Sequence, residues 1–290
     1  MLLSGEPGIG KSRLTVALQE RIQAEPHTRL RLFCSPHHQD SAFYPTIMQL
    51  ERAAGFERQD TPEAKLDKLA SLLGSSSGQE IDTQLLAELL SVPTGTRYAP
   101  LDWTPQRKKG TTFEALLRQL ESLAGKRPVL MVYEDVHWID PTSRELLDLV
   151  IERVRCWPML LVITYRPEFQ PPWIGQPHVT TITLNRLDLR DGTALVQRIA
   201  GNRALSVEVV NEIVDRTDGV PLFVEELTKA VVQRGHVGAN AGIGGSGHAA
   251  RLAHGASGSP RPGRQRGCAA GRSDRPRLRP RAARGGSTTA

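Results

Sequence analysis

Within "LLSGEPGIGKSRL", Gly5, Gly8, Gly10, Lys11, Ser12 and Arg13 are spaced for binding a polyphosphate. Gly5, Gly10, Lys11 and Ser12 satisfy the pattern G-x-x-x-x-G-K-[ST], in which backbone amides point inward at the start of a helix, the lysine reaches the β- and γ-phosphates and the hydroxyl coordinates magnesium. Such chemistry needs acids on a neighbouring strand to hold the metal and orient a water. Glu134 and Asp135 supply them directly after the apolar run "VLMVY". Arg166, at the end of "LLVITYR", is placed to sense a γ-phosphate or to stabilise charge developing on it, and Thr164 to hydrogen-bond toward the same water. His137 and Trp138 have no partners at metal-ligand spacing and are read as packing residues. His37 and His38 are read as solvated.

The elements that must position these groups follow from hydrophobic periodicity. "MLLS" reads as a buried strand, and Leu14, Leu18 and Ile22 recur at helical spacing until Pro26. "RLRLFCS" reads as a second strand whose Leu30, Leu32 and Cys34 share the more buried face. Residues 44–90 are helical, with a loop at "GSSSGQ". A helix is expected from Thr111-Thr112 to a C-cap at Gly125, and another from a cap at Asp140 or Thr142. "VLMVYED", "MLLVITYR" and "HVTTITL" are the remaining strands, and beyond them the pattern is helical only. Strands alternating with helices predict an α/β fold, a three-layer arrangement around a central parallel sheet, followed by a small helical lid.

Charge divides the chain. From His236 onward there are ten arginines, one acid, twelve glycines and no lysine or aromatic residue, leaving 27 basic and 30 acidic residues before it. The net charge of +6 therefore comes from residues 236–290, whose composition predicts disorder. The expected domains are a core over 1–185, a lid over 186–235 and this tail. Cys34, Cys156 and Cys268 lack C-x-x-C pairing and fit reduced thiols in the cytoplasm, with Cys34 and Cys156 as packing residues. The longest mostly apolar run, "WPMLLVITY", is about half of a bilayer span, so no membrane association is expected.

In order and spacing, "GEPGIGKSR", "VLMVYEDVHWID", "LLVITYRPE" and "DGVPLFVEEL" resemble the signal-transducing P-loop ATPases with numerous domains, an AAA+-like branch. The text between them is similar to the ATPase module of bacterial proteins that carry a class III adenylate/guanylate cyclase domain before it and helical repeats after it. The resemblance covers about Met1 to Gly235. It implies an ATP- and Mg²⁺-binding regulatory switch with weak hydrolysis and nucleotide-dependent self-association. Lys11 and Ser12 would lie on phosphate and metal, Glu134 and Asp135 at metal and water, Arg166 as sensor, and Pro221 of Gly219-Val220-Pro221 near the adenine. Glu134 stands where many such ATPases have aspartate.

The same comparison makes the chain read as a fragment lacking an upstream base-binding segment, the cyclase or other effector domain and the repeats, and makes the tail read as a shifted reading frame. Nucleic acid is an unlikely partner on this reading. A small-molecule P-loop kinase, or a truncated fragment without stable function, are the alternatives.

Overall fold

The computed structural model describes residues 1–74 and 79–239. Five strands form one parallel sheet: β1 (Leu2–Ser4), β2 (Thr28–Phe33), β3 (Val129–Glu134), β4 (Met159–Tyr165) and β5 (Thr181–Thr183), in the order β2-β3-β4-β1-β5. The register aligns Arg31 with Val132 and Val132 with Val162, and Ser4 with Tyr165 and Thr183. All six residues of β3 are buried, as its unbroken apolar run requires of a strand covered on both faces. The chain leaves β1 for the far edge, β2, and later places β5 on the other side of β1. A crevice therefore opens at the carboxyl ends of the strands around β1, where ligands of parallel α/β sheets bind.

One face of the sheet, through Leu130, Val132 and Val162, packs against Leu18 and Ile22 of α1 (Lys11–Ile22). The other face, through Met131, Tyr133, Leu161 and Ile163, meets the main core. That core draws on α2 (Tyr44–Ala54), α3 (Pro62–Leu73), α4 (Gln79–Leu89), α5 (Pro105–Lys126) and α6 (Pro141–Arg153). This is the three-layer α/β architecture expected. The last three helices, α7 (Leu189–Ala200), α8 (Val207–Thr217) and α9 (Pro221–Ala239), share their own cluster of Val196, Val210, Ile213, Val214 and Val224. Among the described residues, no helix is long and apolar enough to cross a membrane.

Several expectations are corrected. Helix α5 begins at Pro105, before Thr111-Thr112, because Thr104 caps it by accepting the Arg107 amide and Pro105 presets its first turn; it runs through Gly125 to Lys126. Asp140, not Thr142, caps α6 by accepting the Ser143 amide. Leu14 is 47% exposed, whereas Lys11, Thr15 and Gln19 are the buried residues of α1. Cys156 is exposed and does not pack, while Cys34 is buried. Most of the "GSSSGQ" loop, the 236–290 tail apart from its first four residues, and Cys268 lie outside the described residues.

Candidate functional site

The loop after β1 is shaped by its glycines. Gly10 has φ +103°, which an L side chain rarely adopts, and this turns the chain into α1 with no side-chain cap. The first helical bond there runs from the Leu14 amide to the Gly10 carbonyl, so the amides of Lys11, Ser12 and Arg13 have no intrahelical acceptor. A helix start of this kind attracts anions through free amides and the helix dipole. Lys11 folds back over the loop, its Nζ donating to the carbonyls of Gly5 at 2.6 Å and Glu6 at 3.0 Å. Burial lowers its pKa, Asp135 and Glu168 oppose that shift, and Arg166 adds to it.

The two acids at the end of β3 have different environments. Glu134 is buried, and both its oxygens are engaged: Arg31 Nε donates to Oε1 at 2.5 Å and Ser12 Oγ to Oε2 at 3.3 Å. The longer side chain of glutamate lets one carboxylate contact β2 and α1 together. Asp135, whose side chain is 48% exposed, takes a left-handed conformation at φ +57°, held by its amide donating to Thr164 Oγ1 at 3.0 Å. Thr164 thus fixes the backbone of Asp135.

Arg166 leaves β4 with its guanidinium 5.6 Å from the Trp138 ring centre. Beside it His137 is buried, and neither ring nitrogen has a hydrogen-bond partner. Burial pushes its pKa below 6.5; Asp135 and Glu168 oppose the shift, while Arg166 and Lys11 reinforce it. Trp138 packs against the main core as expected. His137 is buried too, but among charges rather than among apolar side chains alone. Arg13 takes another direction, with a largely exposed side chain reaching Glu20 along α1.

The start of α9 leans on the same loop. The Leu222 amide donates to the Gly8 carbonyl at 3.2 Å, next to Pro221. Gly219, at φ +67°, lies so close to Leu187 that an added Cβ would come within 2.2 Å of the Leu187 carbonyl oxygen. Arg186 donates to Glu6 of the loop at 2.8 Å and also pairs with Asp218 at the end of α8.

The fold therefore brings together Lys11, Ser12, Glu134, Asp135, Arg166 and the start of α9, and leaves the Arg13 side chain apart. Arg31, Glu168 and Arg186 join the site without having been anticipated. Their partners lie far away in sequence, and only the alternation of β2 hinted that Arg31 faces away from Leu30 and Leu32. Among the described residues, no group of three His, Cys, Asp or Glu could hold a metal ion. The Ser12 hydroxyl beside the Glu134 carboxylate suits Mg²⁺, which uses one or two protein oxygens and completes its shell with water and phosphate.

The family model of the AAA ATPase domain matches residues 1–163, more than half of the chain and everything from β1 into β4. The chain belongs to the AAA ATPase domain family. Domains of this family bind ATP and usually use Mg²⁺. An uncharacterized protein of Rhizobium meliloti (strain 1021) is 30% identical over 240 residues, covering 80% of this chain and 23% of that one. The chain thus spans about a quarter of that relative's length. A crystal structure of Cdc6p from Pyrobaculum aerophilum aligns with TM-score 0.44 and 14% identity over 81% of this chain and 56% of that one.

Proposed function

We propose that this AAA ATPase domain is an ATP- and Mg²⁺-dependent regulatory switch that hydrolyses ATP slowly and acts on an effector domain of a cytoplasmic signalling protein related to the cyclase-linked ATPases. The observation that carries this reading is the direct bond from the start of α9 to the phosphate loop, Leu222 to Gly8, reinforced by Arg186 between Glu6 and Asp218. A ligand that rearranges the loop must then act on α7–α9, a two-state device in which nucleotide contacts bias a lid.

In this reading Lys11 exchanges the Gly5 and Glu6 carbonyls for β- and γ-phosphate oxygens. The loop from Gly5 through Gly8 and Gly10 wraps the phosphates, and the amides of Ser12 and Arg13 complete the cradle. Ser12 and Glu134 hold the metal, which when bound neutralises phosphate charge. Asp135, exposed and fixed by Thr164, orients the attacking water. Arg166 senses the γ-phosphate and Pro221 lies by the adenine, with the core over 1–185 and the lid over 186–235. Nucleotide-dependent self-association is part of this reading. The acidic balance of residues 1–235 argues against nucleic acid as a partner.

Titration calorimetry of Mg-ATP on the full chain and on Lys11→Ala tests the site. Saturable binding by the wild type that the variant loses is expected. Equal binding by both, or none by a folded wild type, would refute the assignment.

A further inference from the structure

β2 is an outer strand of the sheet. It pairs with β3 on one side and, among the described residues, with no strand on the other. At its two ends the amides of Thr28 and Cys34 donate to the carbonyls of Pro128 and Glu134, on the β3 side. The main-chain groups of successive residues in a strand turn to alternate sides, so Leu30 and Leu32 also bond toward β3, whereas Arg29, Arg31 and Phe33 direct their amides and carbonyls to the open edge. Arg52 of α2 reaches that edge, donating to the Arg31 carbonyl at 3.4 Å.

A cavity of about 580 Å³ runs along the same edge, on the sheet face opposite α1, between β2, α2 and α5. All six residues of β2 border it, and Leu50, Leu116, Leu120 and Met131 make its other walls apolar. Close-packed interiors do not keep apolar voids of this size. The side chains of Arg29 and Arg31 point to the α1 face, where they donate to Gln19 at 3.1 Å and to Glu134, so it is their backbone that borders the cavity. Its lining contains three arginines and no aspartate or glutamate. Of these arginines, Arg29 and Arg52 are exposed and, among the described residues, have no carboxylate partner.

We propose that the open edge of β2 takes up an extended segment of a partner protein, alternating aliphatic and acidic residues, as a sixth strand. Its main chain bonds to the amides and carbonyls of Arg29, Arg31 and Phe33, which supplies affinity without regard to sequence. Alternate side chains of an added strand fall on opposite faces of the sheet. The aliphatic ones, in line with Leu30 and Leu32, enter the cavity. The acidic ones lie on the α1 face beside Arg29 and Arg31, and Arg52 releases the Arg31 carbonyl as the strand arrives. The open edge favours a peptide over a small amphiphile, because it offers a row of main-chain donors and acceptors.

The probe is a capped, fluorescently labelled heptapeptide of alternating glutamate and leucine, titrated by anisotropy into the full chain. Saturable 1:1 binding is expected, and the same peptide with lysine for glutamate should bind more weakly. In such a peptide the leucine amides all point to one side and the glutamate amides to the other, so only one set faces β2. Of two further peptides, one methylated on the leucine amide nitrogens and one on the glutamate nitrogens, one should therefore lose binding and the other keep it. Arg29→Glu, at an exposed position, should weaken the glutamate peptide by roughly 2- to 10-fold and reverse the preference over lysine. Leu120→Trp, which fills the cavity, should abolish binding. Absent binding by the folded chain, an equal effect of the two methylations, or a preference untouched by Arg29→Glu would each overturn the proposal. A chain dimer that Leu120→Trp dissolves, with no peptide bound, would assign the groove to a second copy and overturn it as well. No nucleotide enters the experiment, so its outcome is independent of the nucleotide reading.

Discussion

Gly219→Ala tests the packing that sets the start of α9, which in turn rests on the loop at Gly8. Two costs fall on the variant. The first is conformational: at φ +67° an alanine is left-handed, at about 1–2 kcal/mol. The second is steric, since the new Cβ would come within 2.2 Å of the Leu187 carbonyl oxygen and 3.1 Å of its nitrogen. Those are backbone atoms that cannot swing aside, and the Leu187 amide also donates to the Gly219 carbonyl at 2.8 Å. Forced overpacking of this kind costs about 1–3 kcal/mol.

Gly55→Ala is the matched control, with φ +64° and nothing within 4 Å of the added methyl group. The backbone penalty and the unfolded-state entropy change are common to both substitutions and cancel in their difference. Urea unfolding should therefore place Gly219→Ala below Gly55→Ala by about 1–3 kcal/mol, a sizeable part of the roughly 5–15 kcal/mol that holds a domain together. Mg-ATP affinity should fall in the same variant, because the start of α9 rests on Gly8. Equal destabilisation by the two alanines would refute the argument.

His137 predicts a pH effect. Its native pKa lies below 6.5, so as pH falls through that value the unfolded chain binds a proton that the native chain refuses, and stability present above it is lost by up to about 1.4 kcal/mol per pH unit. Asp135 and Glu168 oppose the shift and Lys11 and Arg166 support it; His137→Gln should flatten the slope in urea melts between about pH 5 and about pH 7. An unchanged slope would count against a buried neutral ring. Removing Arg31 leaves Glu134 buried with only Ser12, so Arg31→Met should cost about 1–3 kcal/mol, discounted for the partly exposed guanidinium, and Glu134→Gln in the same chain should recover part of it. A double-mutant cycle showing simple additivity would remove the pair from the argument. Burial raises the Cys34 thiol well above its ordinary range while Cys156 is exposed, so a thiol reagent followed by peptide mapping should label Cys156 in the native protein and Cys34 only after unfolding.

What could be read from the sequence was what local chemistry determines. The strands announced themselves because β3 and the second half of β4 are buried and their runs Val129–Tyr133 and Leu161–Ile163 are apolar, and the phosphate loop because its glycines and its lysine serve one local geometry. Helix α1 misled for a related reason. Its first turn is committed to the loop, so Lys11, Thr15 and Gln19 occupy the buried side and Leu14 is left exposed, contrary to an amphipathic stripe. The start of α5 was visible as Thr104-Pro105, but the charged residues and Gly110 that follow obscured it behind the apolar stripe further on.

Pairings across the fold left no local mark. Arg31 meets Glu134 because parallel β2 and β3 run in register, and Arg186 meets Glu6 and Asp218 because the segment after β5 returns past the loop. These arginines act on the acids and the loop that the sequence did identify. Arg31 pairs with Glu134 at one oxygen and leaves the other directed at Ser12, so the carboxylate's setting depends on a residue of the neighbouring strand. A glutamate in place of the shorter acid is thus matched to its setting: the extra methylene lets it reach both partners, and Glu134→Asp should lose one of them.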